Sequence, residues 1–213
     1  VYTGTYQLAS TTSSPISIGV SSNGDLTKAG LTAGSYTANV SAMTAVDRAV
    51  ATVAPTTTTT GLLEAGTLRI NGSSIVAAST SDDTASDTTA ASSTKAASAI
   101  AIAAAINKAS TQTGVTATAA PNEIVGTDAD FSLSSTTAAQ LAAADLFVNG
   151  KTIALDSLGT LGRTATRTDV ADLINTYSGQ TGVTATDNGR GLTLVAADGR
   201  NISLATSLAP ADG

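Results

Sequence analysis

The sequence predicts an α+β, β-rich fold: an N-terminal β-rich segment, then two repeated modules, each a β-hairpin, one helix packed on a small antiparallel sheet, and following short strands. Three observations predict it. Residues 106–119 read INKASTQTGVTATA, and residues 174–187 read INTYSGQTGVTATD. A second phrase, LRINGSSI at 68–75, returns as LFVNGKTI at 146–153. Running into the phrase at 174 in the later copy, Val170, Leu173, Ile174 and Tyr177 have the i, i+3, i+4, i+7 spacing of one helix face. Self-similarity over this length marks an array of like modules rather than an active site.

Residues 1–60 form the N-terminal segment. ISIGV at 16–20 and SYTANVSA at 35–42 alternate as strands do, with a turn at Asn23-Gly24-Asp25 between them. The span 42–53 fits a short helix or another strand. Pro55 and the five threonines at 56–60 read as a linker.

The first module is placed at 61–135 and the second at 136–213. In each, an Asn-Gly pair (Asn71-Gly72, Asn149-Gly150) joins two strands, because this pair best tolerates the two positive φ angles of a type I′ turn. On that ground alone Asn149→Ala is expected to cost about 1 kcal/mol. A helix follows, expected near 93–109 in the first copy, with Ala99, Ile102, Ala103 and Ile106 inward. In the second copy Thr168 is the expected N-cap, with Asp169 and Asp172 near the positive helix end. The Asn-Gly pairs lie 78 positions apart but Asn107 and Asn175 only 68, so the first copy carries ten extra residues, expected as a loop before its helix. Strands at 115–119 and 183–187 come next. The second copy continues through LTLVA (192–196) and ISL (202–204), and the first is expected to match with EIVG (123–126) and FSL (131–133).

Composition removes whole classes of function. With no Cys and no His there are no disulfides, thiolate nucleophiles, Cys/His zinc sites or His-dependent triads. A net charge of −6 argues against nucleic acid as a partner, and no apolar run approaches a membrane span. Two Phe, four Tyr and no Trp leave thin cores of Ile, Leu, Val and Ala. Cysteine-free, Ser/Thr-rich composition fits export and assembly outside the cell.

Several patterns bear on chemistry. Ser92-Ser93-Thr94-Lys95 has the S-x-x-K spacing of serine β-lactamase-like enzymes but no companion motifs. Asp82, Asp83 and Asp87 lack the glycine and glutamate spacing of a calcium loop and read as a solvated acidic loop. Asp128 and Asp130 read as turn-side solubilising charges. Lys151, Arg163, Arg167 and Arg190 are a local basic cluster whose functional reading is a polyanion-binding face. The tracts 10–14, 56–60 and 79–94 would suit O-glycosylation, and Asn39, Asn71 and Asn201 begin N-x-S/T triplets. No catalytic, cofactor-binding or metal residue is assigned, and no enzyme activity is expected.

The paired phrases resemble the flagellin hook IN motif, named for its Ile-Asn, here Ile106-Asn107 and Ile174-Asn175. The resemblance covers about 65–134 and 143–205. It implies a surface-exposed outer region of bacterial flagellin, a structural component of the extracellular flagellar filament, secreted and serving motility. The filament cap or a hook-associated protein is the near alternative, since residues 30–51 look somewhat like a phrase of cap proteins. An adhesin-like module binding surface glycans or host molecules is the alternative of another class. The resemblance also implies partners among other flagellar subunits, through polymerising terminal helices that these 213 residues lack. A monomeric fragment is therefore expected. Zinc protease insertions known in some flagellins need H-E-x-x-H, which a histidine-free chain cannot supply.

Overall fold

A computed structural model describes residues 2–21, 24–37, 43–44, 48–49, 63–87, 95–126, 145–161, 163 and 165–207. The architecture is α+β and β-rich, in several small antiparallel sheets. It divides into two compact units, 1–122 with 198–201, and 123–197 with 202–213. The first unit therefore includes the N-terminal segment that the sequence set apart at 1–60, and it closes before residue 135.

In chain order the first unit holds β1 (Tyr2–Thr3), β2 (Tyr6–Ser10), β3 (Ile16–Val20), β4 (Gly34–Tyr36), β5 (Met43–Thr44), β6 (Arg48–Ala49), β7 (Leu68–Ile70) and β8 (Ser73–Ser74). Helix α1 (Ala99–Asn107), the single turn α2 (Ser110–Thr113) and β9 (Val115–Ala119) complete it. Strand order is β5-β2-β9 in one sheet and β4-β3-β7-β8 in another, with β1 on β6. The span 42–53 thus contributes short strands at its described residues.

β10 (Asn122–Val125) leads into the second unit: β11 (Asp145–Val148), β12 (Lys151–Ala154), α3 (Asp156–Gly159), α4 (Arg167–Thr176), α5 (Ser178–Thr181), β13 (Thr184–Asp187), β14 (Leu192–Ala196) and β15 (Leu204–Thr206). Its sheets are β10-β14-β13 and β12-β11-β15.

Both hairpins form at the Asn-Gly pairs, with φ of 48° and 80° at Asn71 and Gly72 and 47° and 72° at Asn149 and Gly150. The helices start 68 positions apart, at Ala99 and Arg167, matching the repeat. α1 is shorter than expected; residues 93 and 94 lie outside the described set, and a 3₁₀ turn at Lys95–Ala97 precedes the Ser98 cap, whose hydroxyl accepts from the Ala101 amide. In α4 the N-cap is Thr166, not Thr168. Thr166 accepts from the Asp169 amide, and the Asp169 carboxylate accepts from the Thr166 amide. This reciprocal box satisfies two otherwise orphaned donors, which fixes the helix start two residues earlier. Of the ten extra residues' surroundings, Thr80–Asp82 forms a 3₁₀ turn, and 88–94 lie outside the described residues.

The closing strands of the first unit depart from expectation. EIV sits in β10, which lies on β14 of the second unit, and 131–133 fall outside the described residues. β9 pairs instead with β2, Leu8 opposite Ala117, and β7 pairs with β3, Ile18 opposite Ile70. The physical reason is apolar content. Tyr6, Leu8, Ile16 and Ile18 are all buried in this core, and Tyr6 donates its hydroxyl to the Ala29 carbonyl. By contrast Val125 of β10 remains 57% exposed. The N-terminal strands bring four buried apolar side chains to this core, and burial decides which strand wins.

In α1 the expected stripe of Ala99, Ile102, Ala103 and Ile106 is buried, and Ala101 and Ala105 are buried too. In α4 Val170 and Ile174 are buried while Leu173 and Tyr177 only pack on the core's margin.

Candidate functional site

Among the polar residues that the two modules share, Asn71/Asn149, Asn107/Asn175 and Thr113/Thr181 are committed to backbone. Asn107 donates Nδ2 to the Ala117 carbonyl at 2.8 Å and accepts the Ala117 amide on Oδ1 at 2.7 Å. Asn175 repeats this with Ala185 at 2.9 and 2.8 Å. The carboxamide completes a two-bond ladder against a strand residue, fastening the helix end to the sheet. Thr113 and Thr181, both buried, donate to the carbonyls of Ala109 and Tyr177 and accept the amides of Val115 and Val183. Gly114 and Gly182 cap the turns at φ of 64° and 70°.

The turn asparagines reach further than a turn requires. Asn71 donates Nδ2 to the Thr113 carbonyl and accepts the Ser17 amide, each at 2.7 Å, while its own amide donates to Ser17. Asn149 does the same with Thr181 and Ser203, both at 2.8 Å. One side chain thus ties hairpin, helix-to-strand turn and closing strand. The exact recurrence of asparagine was the only sequence signal for this clamp. Asn149→Ala is accordingly expected to cost about 2–3 kcal/mol, more than the turn strain alone, because it orphans a donor and an acceptor. Urea unfolding measures it, and a cost near 1 kcal/mol would mean that the clamp contributes nothing beyond the turn strain.

The three arginines of the basic cluster are already engaged. Arg163 grips Asp169 with two bonds of 2.7 Å, and Arg167 donates to Asp187 and to the Gly189 carbonyl, each at 3.0 Å. Arg190 also has a partner, and Lys151 is exposed on β12. Asp82 pairs with Lys108 at 2.6 Å and Asp87 has its own interaction, so the three acidic residues do not converge on one point. Among the described residues no group of three or more His, Cys, Asp or Glu could hold a metal.

Asp83 is 1% exposed and turns inward, accepting the Ala85 and Ser86 amides at 2.9 Å. The Ser86 hydroxyl accepts the Asn201 amide at 2.9 Å, so the loop of the longer first copy holds the turn 198–201 in the first unit. Asp83 Oδ2 and both polar atoms of the Asn201 side chain are buried without a partner. Asn201 is thus closed to modification in the folded chain, and Asn71 has its amide engaged; Asn39 lies outside the described residues. The same holds for Ser92–Thr94, Asp128, Asp130 and the threonines 56–60. The tract 11–14 is exposed.

Carboxylate electrostatics give a pH profile. Hydrogen bonding from Arg163 and the Thr166 amide holds Asp169 well below the ordinary 3.8, and the Gly189 amide with Arg167 lowers Asp187. Burial pushes Asp83 up, but hydrogen bonds from Ser86 and Ser98 outweigh it and leave it lowered. A folded value below the unfolded one contributes stability that is present above the unfolded pKa and lost as pH falls through the folded one. With no His or Cys side chain to titrate, Tm should stay flat from about pH 5 to 8 and fall steeply below about pH 4. Thermal melts across that range check it, and a midpoint loss between pH 6 and 7 would contradict it.

The fold and this wiring define a repeat scaffold whose shared asparagines and buried threonines serve the backbone. No family model, curated protein or solved structure matches the chain. No helix among the described residues is long and apolar enough to cross a membrane.

Proposed function

We propose that this chain is a surface-exposed outer region of a bacterial flagellar axial protein, flagellin in the first instance, with a structural and non-catalytic role outside the cell. The observation that carries the reading is the use made of the repeated phrases. Ile106-Asn107 and Ile174-Asn175, through which the chain resembles the flagellin hook IN motif, each place an isoleucine in a core and an asparagine on a strand backbone. A motif spent on scaffolding suits a decorating module. The longest helix among the described residues has ten residues, too short for the heptad seams that pack filament subunits.

Deleting residues 1–213 from the parent protein is therefore expected to leave bacteria that still assemble filaments, with altered surface or motility. Electron microscopy of the deletion strain tests this. Cells without filaments would mean that the modules themselves carry assembly.

A further inference from the structure

Both clamp asparagines precede a glycine, and an Asn-Gly pair carries a reaction of its own. In Asn149-Gly150 the Gly150 nitrogen gives up its proton and bonds to Asn149 Cγ, closing a succinimide ring. The Cγ–Nδ2 bond breaks, and Nδ2 departs with that proton as ammonia. Water then opens the ring at either carbonyl, leaving aspartate or isoaspartate. In the folded chain the nucleophile is accessible, because Gly72 and Gly150 are exposed and carry no side chain. The carboxamide is what holds back. Asn149 keeps Nδ2 on the Thr181 carbonyl and Oδ1 on the Ser203 amide, both at 2.8 Å. Asn71 is held in the same way by Thr113 and Ser17, each at 2.7 Å. Cγ cannot swing back over its own backbone without breaking both bonds. Those partners lie 32 and 54 residues from Asn149, so the two bonds are lost together only when the hairpin parts from its core. Asn188 also precedes a glycine, but it is an exposed turn residue outside both clamps, and Asn23 lies outside the described residues.

We propose that Asn71 and Asn149 are fold-gated deamidation sites: each converts irreversibly when its unit opens, and the product denies that unit its clamp. An aspartate at 149 still accepts the Ser203 amide but has no N–H for the Thr181 carbonyl, so an anionic oxygen faces a carbonyl oxygen. Isoaspartate adds a methylene to the main chain inside a turn that needs two positive φ angles. The gate is set by the core. Val148, next to Asn149, shares a buried cluster with Ile174, and Ile70, next to Asn71, shares one with Ile106. The same side chain therefore latches the unit and records each opening that lasts long enough to react.

Full chains are incubated at mildly alkaline pH in native buffer and in denaturing guanidinium chloride, and tryptic peptides are weighed for the amide-to-acid exchange at each asparagine. The unfolded rate of each site is its own reference. Native rates at Asn71 and Asn149 should lie at least about a hundredfold below those references, since only the open fraction reacts. Ile174→Ala should raise the native rate at Asn149 by about tenfold or more and leave Asn71 unchanged, and Ile106→Ala should do the converse. Ile174→Val and Ile106→Val take their place where an alanine variant does not fold. Native rates near the unfolded ones, or a site indifferent to the core variant of its own unit, overturn the proposal. So does equal acceleration of both sites in either variant. The product is made directly as Asn149→Asp, which should unfold at lower urea than the unchanged chain. An unchanged midpoint would show that deamidation costs the unit nothing and would overturn the loss of the clamp.

Discussion

Ile106→Ala is expected to destabilise the first unit by about 3–5 kcal/mol, and Ile174→Ala the second by a similar amount. Ile106 is 0% and Ile174 1% exposed, so each truncation opens a cavity inside a packed core. The helices amplify the loss. α1 has nine residues and α4 ten, lengths at which an isolated helix is marginal in water, so packing rather than propensity holds them. Removing the isoleucine also loosens the adjacent asparagine, whose carboxamide must stay aligned on Ala117 or Ala185. Urea unfolding followed by circular dichroism, with hydrogen exchange to locate the loss, measures both. Protection should fall first in β9 for Ile106→Ala and in β13 for Ile174→Ala. A cost no greater than that of the exposed Gln112→Ala would mean that the helix faces are misassigned.

How much of this was legible depends on how local each interaction is. The hairpins were readable because Asn-Gly has a direct conformational meaning at two positive φ angles. Ile106 and Ile174 were readable because helical spacing needs only a dozen neighbouring residues. The α4 start was nearly readable: Asp169 three residues after Thr166 is a capping-box pattern, which competed with the nearer Thr168. The asparagine ladders and clamps were visible only as repetition, since a carboxamide bonding backbone ten to 54 residues away leaves no periodic trace. The closing pair of the first unit was not readable in chain order. EIVG follows β9 as LTLVA follows β13, yet the true counterpart of LTLVA is YQLAS, near the other end of the chain. Strand pairing over such separations is settled by burial, here of Tyr6 and Leu8, rather than by succession.

Gly199→Val is expected to cost about 3–5 kcal/mol, while the matching Ser13→Gly should be neutral or gain up to about 1 kcal/mol. Both positions are left-handed, which penalises any side chain and a β-branched one most. They differ in what surrounds them. A Cβ on Gly199 would meet the Ala120 carbonyl oxygen at 2.7 Å and the Ala119 Cβ at 2.9 Å, so backbone must move as well as twist. Ser13 lies exposed and already carries a side chain. The useful comparison is therefore Gly199→Val against Ser13→Val, which share the strain and differ in the clash. Displacing Gly199 should also pull the Asn201 amide off Ser86 and the Arg200 carbonyl off Asn122, bonds that seat this turn in the first unit. Hydrogen exchange should then rise at 83–86 and 120–122 in Gly199→Val and not in Ser13→Val. Equal melting temperatures for the two valine variants would show that the turn is held there by nothing more than its own geometry.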